Sequence, residues 1–220
     1  MLTVAVGGCG GSDETSVPER GTLVAALGDS ITSGSPGYDP DPAQRATLGF
    51  GADERSQYEY WAHHDEPGLR FRNCGVFGER TDEIAGRLDD CARGADALIV
   101  QGGVNDIAQG RPVAAAADDL RGIVARGEDA GLDVYLVDVL PWNNGHPAAD
   151  RPIAELNRRI EAIGDDLSVP VIGFHDALAD PDEPGTMRSA LTADGDHPSV
   201  AGYRLLGELV ARELAPRGAG

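Results

Sequence analysis

Residues 23–34 read LVAALGDSITSG: five apolar residues run into Gly28-Asp29-Ser30, and Gly34 follows four positions after the serine. A short, unalternating apolar run of this kind reads as a strand covered on both faces. The triplet that ends it admits two readings. In one, Gly28 closes the strand and Asp29 or Ser30 caps the helix that follows, as short polar side chains do. In the other, Ser30 is a nucleophile displayed at the carboxyl edge of a sheet. The choice depends on what the other strands carry at the same edge.

Four more strands are predicted at 69–75 (LRFRNCG), 97–103 (ALIVQGG), 133–140 (DVYLVDVL) and 169–174 (VPVIGF). Helical spacing fills the intervals. Over 113–131, Val113, Ala117, Leu120, Val124 and Gly127 recur at steps of three and four, and Gly131 is a suitable stop. The segments 151–166 and 198–214 follow the same rule. Strand and helix in alternation imply a parallel sheet joined by right-handed crossovers. With no internal repeat and no linker, residues 21–217 read as one domain. Sheets of this type bind ligands outside the carboxyl ends of their strands. There the chain places Asp29-Ser30, then 75–78, then Gly103-Val104-Asn105-Asp106, then 141–144. Asp194-Gly195-Asp196-His197 stands before the last helix.

Those residue types make up a nucleophilic site. A serine hydroxyl attacks only when a base removes its proton, and His197 is suited to that task. The imidazole needs its other nitrogen held by a carboxylate, and Asp194 lies three residues earlier on the turn into a helix expected to begin at Pro198. A tetrahedral oxyanion needs donors, which an amide N–H at Gly78 and the side chain of Asn105 can supply.

The blocks GDSITSG (28–34), NCGVFGERT (73–81), GGVND (102–106) and DGDHP (194–198) resemble, in order, the four blocks of the SGNH, or GDSL-type, hydrolases. The resemblance implies an α/β fold: a three-layer α/β/α sandwich of the flavodoxin type around a five-stranded parallel sheet. It implies that Ser30 is the nucleophile, with Asp194 and His197 completing a triad. The oxyanion hole falls on Gly78, Asn105 and the Ser30 backbone N–H. No cofactor is implied. The chain departs from the commonest pattern at Asp196, a second carboxylate beside His197, expected to face solvent or cap the helix.

Composition narrows the partners. With 18 basic and 37 acidic side chains the net charge is −19, and every basic residue other than histidine is arginine. Such a chain repels phosphate backbones and anionic headgroups, which argues against nucleic acid as a partner. No apolar run reaches the 18 or more residues of a membrane span. Residues 1–20 are read as lying outside the fold, either a flexible tail or the remnant of a bacterial lipoprotein signal, since VGGC resembles the end of one. In that reading Cys9 carries a lipid anchor and the protein is exported or held at the cell envelope. Cys74 and Cys91 flank a helix predicted over 81–91. Its length of roughly 15 Å exceeds what a disulfide tolerates; a chain that folds back would still allow the pair, but the spacing does not require it, and of the two states free buried thiols are the one expected.

His63 and His64 are expected to face solvent, and His175-Asp176 to start a helix. No spacing suggests a metal site. The acidic loops 38–42 and 179–185 read as solvated. Two stretches are candidates for shaping the substrate pocket: the Gly/Pro-rich connection 35–57, and PWNNGH (141–146), through Trp142 and Asn144. The expected function is a serine esterase acting on a small-molecule carboxylic ester, thioesters and lysophospholipids included. The alternatives are a carbohydrate O-acetyl esterase or transferase, and a surface-tethered binding protein without turnover.

Overall fold

In a computed structural model of the chain the described residues are 21–142, 146 and 148–215. Cys9 and Asn144 lie outside them. In chain order the elements are β1 (Thr22–Gly28), α1 (Ser30–Ser33), α2 (Pro42–Leu48), a 3-10 turn at Glu54–Ser56, α3 (Tyr58–Asp65) and β2 (Leu69–Gly75). Next come α4 (Thr81–Gly86), α5 (Leu88–Cys91), β3 (Ala97–Val100), α6 (Val104–Ala108), α7 (Val113–Asp129) and β4 (Asp133–Val137). The chain continues with α8 (Asp150–Leu167), β5 (Val171–Ile172), α9 (Phe174–Leu178) and α10 (Val200–Leu214).

The five strands form one sheet in the order β2-β1-β3-β4-β5, and every pairing is parallel. Alternation along each strand sends successive side chains to opposite faces. Ala25, Leu27, Leu98, Val100, Val134 and Leu136 meet α4, α5, α7 and α8 through Ile84, Leu88, Leu120, Ile123, Ile153, Leu156 and Ile160. Their neighbours Val24, Ala26, Ala97, Ile99, Val137 and Ile172 meet α3, α9 and α10 through Tyr58, Phe174, Tyr203, Leu206 and Val210. Both faces are covered, which is why the strands read as unbroken apolar runs, and the architecture is the three-layer α/β/α sandwich. The chain leaves β1 for β2 on one side and returns to β3 on the other. The topological switch point therefore falls at the carboxyl ends of β1 and β3.

Two expectations need correction. The helix predicted over 81–91 is broken at Arg87, which ends α4 and starts α5 with φ −101° and ψ −1°. The break turns α5 back toward β2, bringing the Cys74 and Cys91 Cα atoms to 6.0 Å, and the two cysteines form a disulfide rather than standing as free thiols. The reach computed for a straight helix does not apply to a bent one. Pro198 also does not start the last helix. Ser199 is the N-cap, its Oγ accepting from the Gly202 N–H at 3.3 Å, and Pro198 lies buried just before it.

The disulfide spans a sequence separation of 17, for which the chain-entropy account gives about 3 kcal/mol of stabilisation. Replacing both cysteines by alanine should lower the melting midpoint by roughly 6–12 °C in a domain of this size. Thermal unfolding of oxidised wild type beside the double variant measures it. Coincident midpoints would show that the bridge contributes nothing.

Candidate active site

Within Gly28-Asp29-Ser30 the cap falls on Asp29, which leaves the Ser30 side chain free of that role. Asp29 is the N-cap of α1, its Oδ1 accepting from the Ile31 N–H at 2.9 Å. Ser30 is the first residue of that single-turn helix, set at the switch point and only 5% exposed. The turn is held from several elements. Gln101 Oε1 accepts from the Asp29 N–H (3.2 Å) and from Thr32 Oγ1 (2.9 Å). Asn73 Nδ2 donates to the Thr32 carbonyl at 2.8 Å, and the Arg87 guanidinium donates to the Gly28 carbonyl at 3.0 Å. Close packing requires glycine at position 75, where a Cβ would stand 2.0 Å from the Ser33 nitrogen.

The second contribution comes from the turn before α10. Thr192 Oγ1 accepts from the Gly195 N–H (2.8 Å) and donates to the His197 carbonyl (3.0 Å). Inside this turn Asp194 Oδ1 accepts from the Asp196 and His197 backbone N–H groups at 2.9 and 2.8 Å. Asp194 Oδ2 pairs with His197 Nδ1 at 2.9 Å, and His197 Nε2 lies 3.1 Å from Ser30 Oγ. With Nδ1 as the donor to the carboxylate, Nε2 is the acceptor that faces the serine hydroxyl. Burial pushes the Asp194 carboxyl up, but the hydrogen bonds from the His197 ring and from the two backbone N–H groups outweigh it. The net direction is below the ordinary carboxylate value. Asp194 is thus an ionised acceptor.

The loop after β2 carries the third part. Its Val76 N–H donates to the Gly28 carbonyl at 3.1 Å, and the Phe77 ring stacks on the His197 ring with centroids 6.0 Å apart. Gly78 follows with φ +80°, a conformation that favours glycine. From α6, Asn105 Nδ2 donates to the Glu79 carbonyl at 2.9 Å, and Gln109 Nε2 to the Gly78 carbonyl at 3.0 Å. Nδ2 carries two hydrogens, so the first of these bonds leaves the second for another acceptor. The Gly78 loop and Asn105 are therefore tied to each other, and through Phe77 to His197.

Asp106, next to Asn105, is fully buried. It accepts from the Thr81 N–H and Oγ1, both at 2.9 Å, and pairs with Arg111 at 2.6 Å. It clamps α4 to α6.

A cleft of about 940 Å³ opens beside His197. One wall is residues 73–77, the other the excursion after α1, with Tyr38, Leu48 and Phe50. That excursion closes on itself through a Tyr38–Ala52 bridge and carries α2, none of whose residues is buried. Among the described residues the large exposed apolar side chains are Leu48 (47%), Phe50 (59%), Val76 (40%) and Phe77 (64%). All four line this cleft, and an exposed apolar patch of that kind marks a binding surface. Part of the predicted stretch 35–57 thus shapes the cleft.

Trp142 does not line the cleft. It packs against the core and stacks on His146 with ring centroids 3.7 Å apart. Asp196 lines the cleft rather than capping α10, and both imidazole nitrogens are committed elsewhere. His175 and Asp176 touch at 3.3 Å within α9, His175 half-buried and Asp176 exposed. Sequence reasoning missed Arg87, Gln101 and Asn73. The last lies inside a recognised block, which was the available signal.

The comparisons agree with this fold. Residues 26–205 match the GDSL-like lipase/acylhydrolase family. The chain belongs to that family and is a serine hydrolase of the GDSL type. Among solved structures, a G-D-S-L family protein from Desulfitobacterium hafniense DCB-2 is similar at 21% identity and a TM-score of 0.74, covering 88% of this chain and 99% of its own. A GDSL-like lipase from Bacteroides thetaiotaomicron VPI-5482 is 19% identical with a TM-score of 0.68, over 90% and 89%. The psychrotrophic esterase EstA from Pseudoalteromonas sp. is 16% identical with a TM-score of 0.65, over 87% and 95%. At these identities they share the fold. No curated protein matches the sequence.

Burial pushes the Asp29 carboxyl up to about 6, against opposing effects from the Ile31 N–H, Gln101 and His197. An unfolded aspartate titrates near 4, so the folded state holds the proton more tightly. The stability this group contributes is full below about pH 4 and is lost as the pH rises through about 6. Chemical unfolding should show wild type losing up to about 3 kcal/mol relative to Asp29→Asn between about pH 4 and pH 7.5. A difference that does not change with pH would contradict the assignment.

Proposed function

We propose that the protein is a serine esterase that works through an acyl-enzyme on Ser30. The observation that carries this is the continuous relay from Asp194 to His197 to Ser30, with distances of 2.9 and 3.1 Å, at the carboxyl edge of a parallel sheet. His197 takes the Ser30 proton as the oxygen attacks the ester carbonyl, and Asp194 compensates the imidazolium that forms. The oxyanion is met by the Ser30 N–H, the Gly78 N–H and the second hydrogen of Asn105 Nδ2. His197 then gives its proton to the departing alcohol. Water repeats the sequence on the acyl-enzyme and releases the acid.

The exposed apolar residues of the excursion, Leu48 and Phe50, supply a surface for the acyl portion. They favour an apolar acyl ester over the sugar acetate of the alternative enzyme reading, whose ligand would call for polar partners. A tethered binding protein has no need of an aligned relay. The Cys74–Cys91 bridge supports placing the protein in an oxidising compartment, in line with the lipoprotein-like segment before Cys9.

Hydrolysis of p-nitrophenyl esters from acetate to palmitate tests the proposal. Ser30→Ala should lower kcat by about 10⁴-fold or more, and Asn105→Ala by about 10²- to 10³-fold. A fluorophosphonate should label Ser30 in the folded protein and leave Ser30→Ala unlabelled. Turnover or labelling that survives in Ser30→Ala would sink the mechanism. In the double variant Leu48→Ser/Phe50→Ser, the chain-length optimum should move to shorter acyl groups. An unmoved profile would place the acyl chain elsewhere.

A further inference from the structure

The cleft has a charge inventory that ester hydrolysis alone does not require. Among the described residues, four carboxylates line it, on Asp39, Asp41, Asp194 and Asp196, against one guanidinium, that of Arg87. Arg87 is already committed. Its Nε and Nη2 hold Glu79 Oε2 at 2.8 and 2.5 Å, Nη1 donates to the Cys74 carbonyl at 2.6 Å, and Nη2 also reaches the Gly28 carbonyl. At the far side, the Arg45 guanidinium lies 5.3 Å over the Tyr38 ring and donates to the Asp39 carbonyl.

Among the carboxylates, Asp194 serves the imidazole. Asp39 and Asp41 each give one oxygen to a backbone amide of the excursion, at 2.8 Å in both cases. Asp196 Oδ1 is buried and has no hydrogen-bond partner among the described residues. A buried carboxylate oxygen left unpaired is costly unless a charged or donating group meets it. The residue itself lines the cleft next to His197. Because His197 protonates the departing oxygen, the alcohol half of the ester is the part that sits against this wall.

We propose that the cleft selects esters whose alcohol portion carries a positive charge, a quaternary ammonium in particular, and discriminates against anionic ones, acyl thioesters of phosphorylated carriers included. The proposal rests on the esterase reading above. Carboxylates in a cleft with apolar walls focus a negative potential on the ligand, and the net charge of −19 adds to it at long range. A quaternary ammonium donates no hydrogen bond. It is recognised by aromatic faces and nearby negative charge, and Phe77 lines the cleft beside His197 and Asp196. An anionic alcohol would meet like charge on both sides, and the guanidinium that lines the cleft, Arg87, is already paired with Glu79.

Three hexanoyl esters differing only in the alcohol isolate the charge. They are the choline ester, its uncharged carbon isostere the 3,3-dimethylbutyl ester, and the anionic glycolate ester. Each kcat/KM is normalised to the alkaline hydrolysis rate of that ester, to remove intrinsic reactivity. At about 20 mM salt the choline ester should exceed the neutral ester by about tenfold, and the glycolate ester should fall below it by a comparable factor. Raising the salt to about 500 mM should compress both ratios, and Asp196→Asn should lower the choline-to-glycolate ratio. Turnover of the neutral ester with no advantage for choline at low salt would overturn the charge selection while leaving the esterase intact. No turnover of any ester, with no fluorophosphonate labelling of Ser30, would remove the esterase reading and this inference with it.

Discussion

Everything at this site depends on how the carboxyl end of β1 is held. A strand that stops at Gly28 leaves its last carbonyl and the next amides at the rim of the sheet, where unpaired backbone groups are costly. This chain meets that demand from four directions. Arg87 and the Val76 N–H reach the Gly28 carbonyl, Gln101 takes the Asp29 N–H, the Asp29 carboxylate takes the Ile31 N–H, and Asn73 takes the Thr32 carbonyl. The donors and acceptors come from β2, the loop after it, the break between α4 and α5, and the end of β3. Ser30 is placed by partners from separate parts of the chain, and so its Oγ meets an imidazole 167 residues away in sequence.

The buried acid within this turn shows what such placement costs. Asp29 has no exposure, and its Oδ2 lacks a hydrogen-bond partner among the described residues. Burial moves its carboxyl up to about 6. Asp138, after β4, is pushed to about 6 by the same cause, although the Phe174 and His175 N–H groups oppose it. Both lie beyond strand ends, where the polar backbone of the active edge must be satisfied by side chains that an apolar core would exclude. Glu59 is different. It is buried on α3, neither carboxylate oxygen has a hydrogen-bond partner among the described residues, and burial drives its carboxyl well above the ordinary range.

Much of this was legible in the sequence because its decisive contacts are local. Asp194 and His197 are three residues apart on one turn, and Asp29-Ser30 is a strand end followed by a helix start. Short motifs carry such geometry without a fold. The five strands were legible because both faces are covered and the runs are therefore apolar throughout. What escaped were solitary polar residues that act across the fold. Arg87 reads as one more charge in a helical stretch, and Gln101 as the tail of an apolar strand. The same break at Arg87 hid the disulfide, since an apolar pattern at helical spacing does not reveal where a helix bends. Trp142 stands elsewhere for the opposite reason: its place after β4 suggested a pocket wall, but its ring packs against the core and stacks on His146.

The site thus divides into parts under different constraints. The relay and its supports are tied by hydrogen bonds to the sheet edge, and Gly75 leaves no room for even a methyl group there. The excursion from Tyr38 to Ala52 has only its base pinned, by the bridge between those two residues and by the Asp39–Gly51 and Gly37–Asp53 backbone bonds. Its helix buries no residue in the core. A segment anchored only at its ends can change sequence without disturbing β1, and it contributes Tyr38, Asp39, Asp41, Leu48 and Phe50 to the cleft. The chemistry is therefore fixed by the sheet, while the surface that meets the substrate is set by a loop that the sheet does not constrain. That separation explains how motifs matching a large family can name the reaction in this chain and still be silent about its substrate.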